Sequence, residues 1–287
     1  MEFRPIQKSD KAIYEAFYKD GTRMASDASF LTPYAWAGSY APSLYTEKDL
    51  ICVEGKPKGR APYYLMPQGP GDKIRLIQQM HRRCLSLSLP FSIHWVLKDE
   101  LPLVKEAIGD AIWIEDVRDG ADYIYETASL CTLSGKKLHA KRNHVNTFKA
   151  TYSHRFETIT AENLDKASAF VYARCNTQEE KIAMQRLFQA YFDFALTGML
   201  LYANETLCAV TVGEKINADT ALIHLEKGDT SFTGAYAAVN QIFISNYFPD
   251  TVYVNREEDM GIEGLRKAKL SYRPAFLLEK YNVYEAK

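Results

Sequence analysis

Residues 252–274 read VYVNREEDMGIEGLRKAKLSYRP, and the organisation of the chain is clearest from this stretch outward. Thr251 to Val254 is a short apolar run of β type and reads as a buried strand. Five consecutive polar residues follow: Asn255, Arg256, Glu257, Glu258 and Asp259. Gly261 then leads into a short helix that Pro274 closes. In open α/β sheets, ligands collect outside the carboxyl ends of strands, where helices begin. Helix electrostatics explains part of the pattern without a ligand. Acids at a helix start and bases at its end, here Arg266, Lys267 and Lys269, offset the macrodipole by about 0.3–1 kcal/mol each. Two residues resist that explanation. Arg256 is a cation among acids, and Gly264 sits inside the helix, where Gly costs roughly 1 kcal/mol relative to Ala. A residue packed close to the Gly264 backbone is expected.

The rest of the composition is that of an ordinary globular chain. It has 287 residues, long for one domain and comfortable for two, with 47% hydrophobic and 25% charged residues. A net charge of −1 advertises no polyanionic partner. MEFRPIQKSD is not a signal peptide, and no apolar run approaches the ~20 residues of a membrane span, so no integral membrane segment and a cytoplasmic location are expected. The five cysteines lie at least 32 residues apart, which fits neither a zinc site nor a disulfide framework, and no metal site is expected. GxSxG, HExxH, GxxxxGK[ST] and CxxC are all absent.

In order, the first half reads as a strand at 3–6, a helix from the Ser9–Asp10 cap signal, and strands at 49–54 and 61–66. The loop MPQGPGD, weak by itself as a phosphate signal, leads to a helix at 72–88. A strand at 91–96, a helix at 100–108 and strands at 111–115 and 123–130 follow. The second half repeats that order, with a strand at 156–159, helices at 162–174 and 178–196, and strands at 199–203, 207–214 and 221–226. The loop KGDTSFTG, a helix at 235–248, the opening segment and a last strand at 275–281 complete it. A duplicated α/β unit is the economical explanation, although no residue-level identity links the halves. The order resembles the GNAT-type N-acyltransferase fold. The second half matches it element for element, whereas the first half lacks one strand.

Between Glu126 and Glu157 no Asp or Glu occurs, and this window holds GKKLHAKRNHVNTFKATYSHR. Six of its residues are Lys or Arg and three are His. At about 100° per residue, Leu138, Val145, Phe148 and Tyr152 share one helix face. Lys141 falls inside that apolar arc, with Lys137 and His144 on its border. An inward Lys needs an anion, a carboxylate or a snorkelling path to water. The two readings are an interdomain helix with a solvated basic side, and a phosphate- or carboxylate-binding element.

The helix after KGDTSFTG holds Tyr236 and Asn240 one turn apart, as ligands or as hydrogen bonders at the core edge. Acetyl-CoA enzymes of the GNAT type carry a glycine-rich turn there, and this chain offers only Gly234. Glu226, at a strand end, reads equally as a general base or as a surface acid.

KKLHAKRNHVNTF, IHLEKGDTSFTGAYAAVNQIF and YVNREEDMGIEGLRKAKLSYRPAFLLEKY together resemble the bacterial family related to the C-terminal domain of phosphatidylglycerol lysyltransferase, along nearly the whole chain. FemABX-type peptidoglycan aminoacyltransferases share its tandem architecture. The resemblance implies an α/β (α+β) protein of two tandem GNAT-like domains, with mixed sheets flanked by helices. The expected division is residues 1–134 and 155–287, with a basic junction helix at 135–154 and a cleft between the domains. It implies transfer of an aminoacyl group from aminoacyl-tRNA to an amine or hydroxyl acceptor: a small molecule, a peptide or a lipid head group. The alternatives are an acyl-CoA-dependent N-acetyltransferase and a catalytically silent ligand-binding module. Glu226 or Glu258 is then the base, Tyr272 the proton donor to the leaving group, and Lys141 or Arg142 the anchor for phosphate or the tRNA acceptor end. Lys137, Asn143 and His144 from the basic window complete the binding residues, with Tyr236 and Asn240. Asn255, Arg256, Glu257, Asp259 and Lys269 face them from the opening segment. No cofactor beyond the acyl-CoA or aminoacyl-tRNA donor is implied.

Overall fold

The computed structural model describes residues 1–18 and 22–286. In chain order it opens with β1 (Arg4–Pro5), α1 (Lys11–Tyr18), α2 (Leu31–Ala35), α3 (Ala37–Tyr40), β2 (Ser43–Glu47), β3 (Leu50–Gly55) and β4 (Tyr63–Leu65). Then come α4 (Lys73–Ser86), β5 (Ser92–Leu97), α5 (Leu101–Ile108) and β6 (Ile112–Asp116). The next run is β7 (Asp122–Glu126), α6 (Thr127–Thr132), α7 (His139–Thr151), β8 (His154–Thr158), α8 (Leu164–Tyr172) and α9 (Gln178–Ala190). It continues with β9 (Thr197–Ala203), β10 (Thr206–Lys215), β11 (Thr220–Gly228), α10 (Ala235–Tyr247) and β12 (Tyr253–Asn255). The chain closes with α11 (Glu263–Leu270), β13 (Phe276–Leu278) and β14 (Lys280–Glu285).

Two compact units result. One comprises Met1–Arg23, Asp27–Ala121 and Leu278–Lys287; the other comprises Met24–Ser26 and Asp122–Leu277. The division therefore falls at 121/122 and not in the 135–154 window, and the basic helix α7 lies within the second unit. Long-range pairing is the reason: β7 joins the second sheet through Tyr253↔Glu126, Val254↔Tyr125 and Asn255↔Ile124.

The first unit's sheet runs β1-β2-β3-β4-β5-β14-β6 among the described residues. The strand expected to be missing from this half is present. It is β2, antiparallel to β3, and its alternating SLYTE was legible only once that partner was known. The sheet packs Leu50, Cys52, Ile93, Val96 and Val283 against Leu76, Ile77 and Met80 of α4. Asp72 caps α4, accepting from the Arg75 N–H at 2.9 Å. The MPQGPGD turn is a packing element. Gly69 has φ +115°, and a Cβ there would meet the Asp49 carbonyl at 2.3 Å.

The second unit's sheet runs β13-β7-β12-β11-β10-β9-β8. The parallel pair β11 and β12 sits where α10 provides the crossover that parallel strands require. Val239 and Phe243 of α10 pack with Val145 and Phe148 of α7, Leu201 of β9 and Val254 of β12. Two further expectations are corrected. The run 123–130 is a strand only to Glu126, and Leu130 belongs to α6. The final strand at 275–281 is two strands, β13 in the second sheet and β14 in the first.

Candidate active site

The register of β11 and β12 places the site. Their parallel pairing covers Thr220↔Tyr253, Ala221↔Val254 and Leu222↔Asn255 and then stops. β11 runs on to Gly228, while the other strand turns away at Glu257, whose φ is +56°. The strands part at their carboxyl ends, which is where open α/β sheets bind ligands. Side chains fill the gap from both sides.

Glu226 is gripped at both oxygens. Asn240 Nδ2 on α10 donates to Oε1 at 2.9 Å, and Arg256 donates Nε and Nη2 to Oε2 at 2.9 and 2.5 Å. The Arg256 guanidinium lies 4.6 Å from the ring centre of Tyr272 and 5.5 Å from that of Tyr125. Lys141 Nζ lies 4.2 Å from the same Tyr272 ring centre, so one aromatic ring holds two cations. Burial and the neighbouring Arg256 both lower the Lys141 ammonium pKa, and no carboxylate pairs with it among the described residues. Burial pushes the Tyr272 phenol up to about 12, so it keeps its proton at neutral pH. Two buried atoms of this cluster, Arg256 Nη1 and Asn240 Oδ1, have no hydrogen-bond partner among the described residues. Leaving such a group unsatisfied costs about 1–3 kcal/mol. A donor and an acceptor with unused hydrogen-bonding capacity thus flank the Glu226 carboxylate, and an unpaired ammonium shares the Tyr272 ring with Arg256.

Two residues away on β11, His224 sits between Glu257 (Nδ1 to Oε1, 3.0 Å) and Glu214 (Nε2 to Oε1, 2.9 Å). Burial alone would lower the imidazole pKa. The two carboxylates outweigh it and raise it to about 9, so His224 is charged at neutral pH. His224 is the bulged residue of β11, between Gly213↔Ile223 and Val212↔Leu225.

The remaining residues of the turn hold its shape. Asn255 donates to the Met24 carbonyl at 2.7 Å and to Asp122 at 3.0 Å, and accepts from the Glu257 N–H at 2.7 Å. Asp259 accepts from Tyr123 Oη at 2.6 Å, from Arg266 at 2.8 and 2.9 Å and from the Gly261 N–H at 2.9 Å. Those bonds overcome its burial and keep it well below the usual carboxylate range. Lys269 Nζ donates to the carbonyls of Arg256, Glu257 and Glu258 at 2.5, 3.1 and 2.5 Å. Arg142 donates to the Leu133 carbonyl at 2.6 Å and closes the end of α6.

The expected meeting of the basic window with the opening segment is therefore narrower than the sequence suggested. Lys141, Tyr272, Arg256, Glu226 and Asn240 come together. Lys137, Asn143, His144 and Tyr236 are exposed, and Glu258 contributes its carbonyl to Lys269. A Cβ on Gly264 would meet nothing within 4 Å, so nothing packs on that backbone. Sequence reasoning missed His224, Glu214 and Tyr125. Its one available signal was a histidine and an acid alternating with aliphatics in ALIHLEKG.

The loop before α10 packs against α7. A Cβ on Gly234, at φ +84°, would lie 2.2 Å from the His144 carbonyl, so α7 sits directly on this turn. Five amides of this turn are engaged within the protein. Asp229 N–H donates to Cys208 O at 2.8 Å, Phe232 N–H to Asp229 O at 3.2 Å and Ala235 N–H to Phe232 O at 3.1 Å. Ser231 N–H donates to Asp229 Oδ1 at 2.9 Å, and Thr233 N–H to Tyr152 Oη at 3.2 Å. Farther along α7, Lys149 joins His154, Arg155 and Phe156 of β8 around an open depression of about 430 Å³. Among the described residues no cluster of three or more His, Cys, Asp or Glu side chains could hold a metal ion, and no helix is long and apolar enough to cross a membrane.

Comparison with known proteins fits this architecture. An uncharacterised protein of Mycoplasmoides gallisepticum is 28% identical over 171 residues, covering 56% of this chain and 55% of the relative, so the match spans about half the length of each. The crystal structure of a conserved protein of unknown function from Bacteroides thetaiotaomicron superposes with a TM-score of 0.94 at 32% identity, over 99% of both chains. L-PGS from Bacillus licheniformis has the same fold, with a TM-score of 0.67 at 16% identity, over 96% of this chain and 92% of that one. A tandem GNAT protein from the clavulanic acid biosynthesis pathway matches with a TM-score of 0.56 at 12% identity, over 100% and 98%. The fold is thus the expected one, two tandem GNAT-like domains with mixed sheets. The family described as phosphatidylglycerol lysyltransferase, C-terminal, matches residues 19–284, and this chain belongs to it.

Proposed function

We propose that this acyltransferase-family protein transfers an aminoacyl group from aminoacyl-tRNA to an amine or hydroxyl acceptor, with the reaction centred on Glu226, Arg256, Lys141 and Tyr272. The observation that carries the choice of donor is the loop before α10. An acyl-CoA pyrophosphate needs free amides at a helix N-terminus. Here five loop amides are engaged within the protein and α7 lies against Gly234. The family supplies the other support, because its description is that of a lysyltransferase.

In this reading the ester carbonyl of the donor meets Arg256 Nη1 and the Lys141 ammonium, which stabilise the oxyanion as the tetrahedral intermediate forms. Glu226 accepts the proton of the attacking amine or hydroxyl. The ester C–O bond breaks, the new C–N or C–O bond remains, and Tyr272 returns a proton to the departing ribose hydroxyl. Lys149, His154 and Arg155, beside the exposed Phe156, offer phosphate contacts and a stacking surface for single-stranded RNA. Arg142 is not among the anchors, because it closes α6.

Filter binding of a mixed charged tRNA pool at 50 and 200 mM salt tests the donor. Phosphate contacts from several cations make affinity fall steeply between the two. Binding that falls with salt and weakens in Lys141→Ala, with no acetyl-CoA binding by calorimetry, is expected. Acetyl-CoA binding with no tRNA affinity at 50 mM salt overturns the donor.

A further inference from the structure

We infer that His224 is a positioning residue for this reaction, pinning the strained turn that delivers Arg256 to Glu226. The inference rests on the reading of Glu226 and Arg256 as the reaction centre. Its basis is geometric. Glu257 holds φ +56° without being glycine, a conformation that persists only where its surroundings over-determine it. From behind, Lys269 binds the carbonyls of residues 256, 257 and 258, and the Tyr123 carbonyl accepts the Arg256 N–H at 3.0 Å. These bonds fix the backbone of the turn from the α11 and β7 side. A side-chain tie to the opposite strand, besides the Arg256–Glu226 pair itself, is Glu257 to His224.

His224 suits that task. It is two residues from Glu226 on β11, so both side chains leave the same face of the strand. The β-bulge at His224 re-aims the imidazole into the gap between the strands. Its side chain is 4% exposed, and its second nitrogen is held by Glu214 on β10. The charged groups facing it are Glu214 and Glu257, one from each side, with Lys269 beyond the turn carbonyls. A charged imidazole bridges two carboxylates that would otherwise repel each other across the gap. Both bonds are complete while the imidazole is protonated; as pH rises through about 9 the ring keeps a single N–H, and the charged bridge between the two carboxylates is broken.

Arginine side-chain NMR on uniformly ¹⁵N-labelled protein reads this directly and needs no donor, so a wrong donor assignment leaves the result intact. The Arg256 Nε–Hε signal is assigned by its absence from Arg256→Lys. In the wild type that signal should shift in step with the His224 imidazole as pH rises through about 9. In His224→Gln it should be displaced already at pH 7 and should show no step between pH 8 and 10. A wild-type signal that stays fixed while His224 titrates overturns the inference, as does a His224→Gln signal at the wild-type position. Should His224→Gln fail to fold, the wild-type titration decides alone.

Discussion

At the scale of single residues, the site is a set of charges that do not all stabilise the protein. Lys141 illustrates this. Its ammonium is half-buried beside Arg256, over a shared tyrosine ring, with burial and a like charge both working against its protonated form. A stabilising surface charge does not look like that. We therefore predict that Lys141→Met leaves the urea midpoint unchanged or raises stability by about 0.5 kcal/mol, while abolishing donor binding. Destabilisation by more than about 1 kcal/mol would show that the lysine is structural. The helical periodicity of 138–152 made this residue legible, because it put a cation inside an apolar arc. Arg256 was legible for the same kind of reason, as a cation where the helix dipole wants none. Asn255, Asp259 and Lys269 looked similar in sequence, yet they hold the turn. Composition cannot separate a lysine that binds backbone carbonyls from one that binds a ligand. His224 left only the alternation in ALIHLEKG, since its importance comes from a bulge and from two carboxylates distant in sequence.

At the scale of elements, two glycines lead to opposite predictions. Gly264 lies near the start of α11, with ordinary helical backbone and open space where a Cβ would go. Gly264→Ala should raise stability by about 0.5–1 kcal/mol, because Ala loses less conformational entropy on entering a helix. The expectation that something packs there came from reading a propensity cost as a packing signal. Gly234 is the reverse case. Its φ of +84° costs an L residue roughly 1–2 kcal/mol, and a Cβ would overlap the His144 carbonyl as well. Gly234→Ala should therefore destabilise by at least about 2 kcal/mol in denaturant melts and push α7 off α10. Equal stability in the two variants would contradict the packing of α7 on the α10 loop. Most helices were legible in the sequence, and the structure adds the caps of two of them, Asp72 before α4 and Thr177 before α9. The strand β2 and the break between β13 and β14 were not, because a short alternating run becomes a strand only through its partners.

For the whole molecule, the order of elements carried the tandem fold, and long-range strand pairing set the division that local pattern could not. β7 leaves the first half to join the second sheet and supplies Tyr123 and Tyr125, while β14 leaves the second half to join the first. The consequence for function is that the catalytic groups proposed here all lie within residues 122–277. The central claim is that Glu226, held between Asn240 and Arg256, takes a proton during transfer from an aminoacyl ester. The most direct measurement is single-turnover discharge of a tRNA pool charged with tritiated amino acids, in the presence of a mixture of primary amines and hydroxyl compounds. Wild-type protein should release label from one class of charged tRNA into an acceptor adduct. Glu226→Gln, which keeps the shape and the Asn240 contact, should discharge it at least 100-fold more slowly, the scale expected for loss of a general base. Equal rates for the two proteins would contradict the account, as would a wild type that leaves every charged tRNA intact and instead releases free thiol from acetyl-CoA.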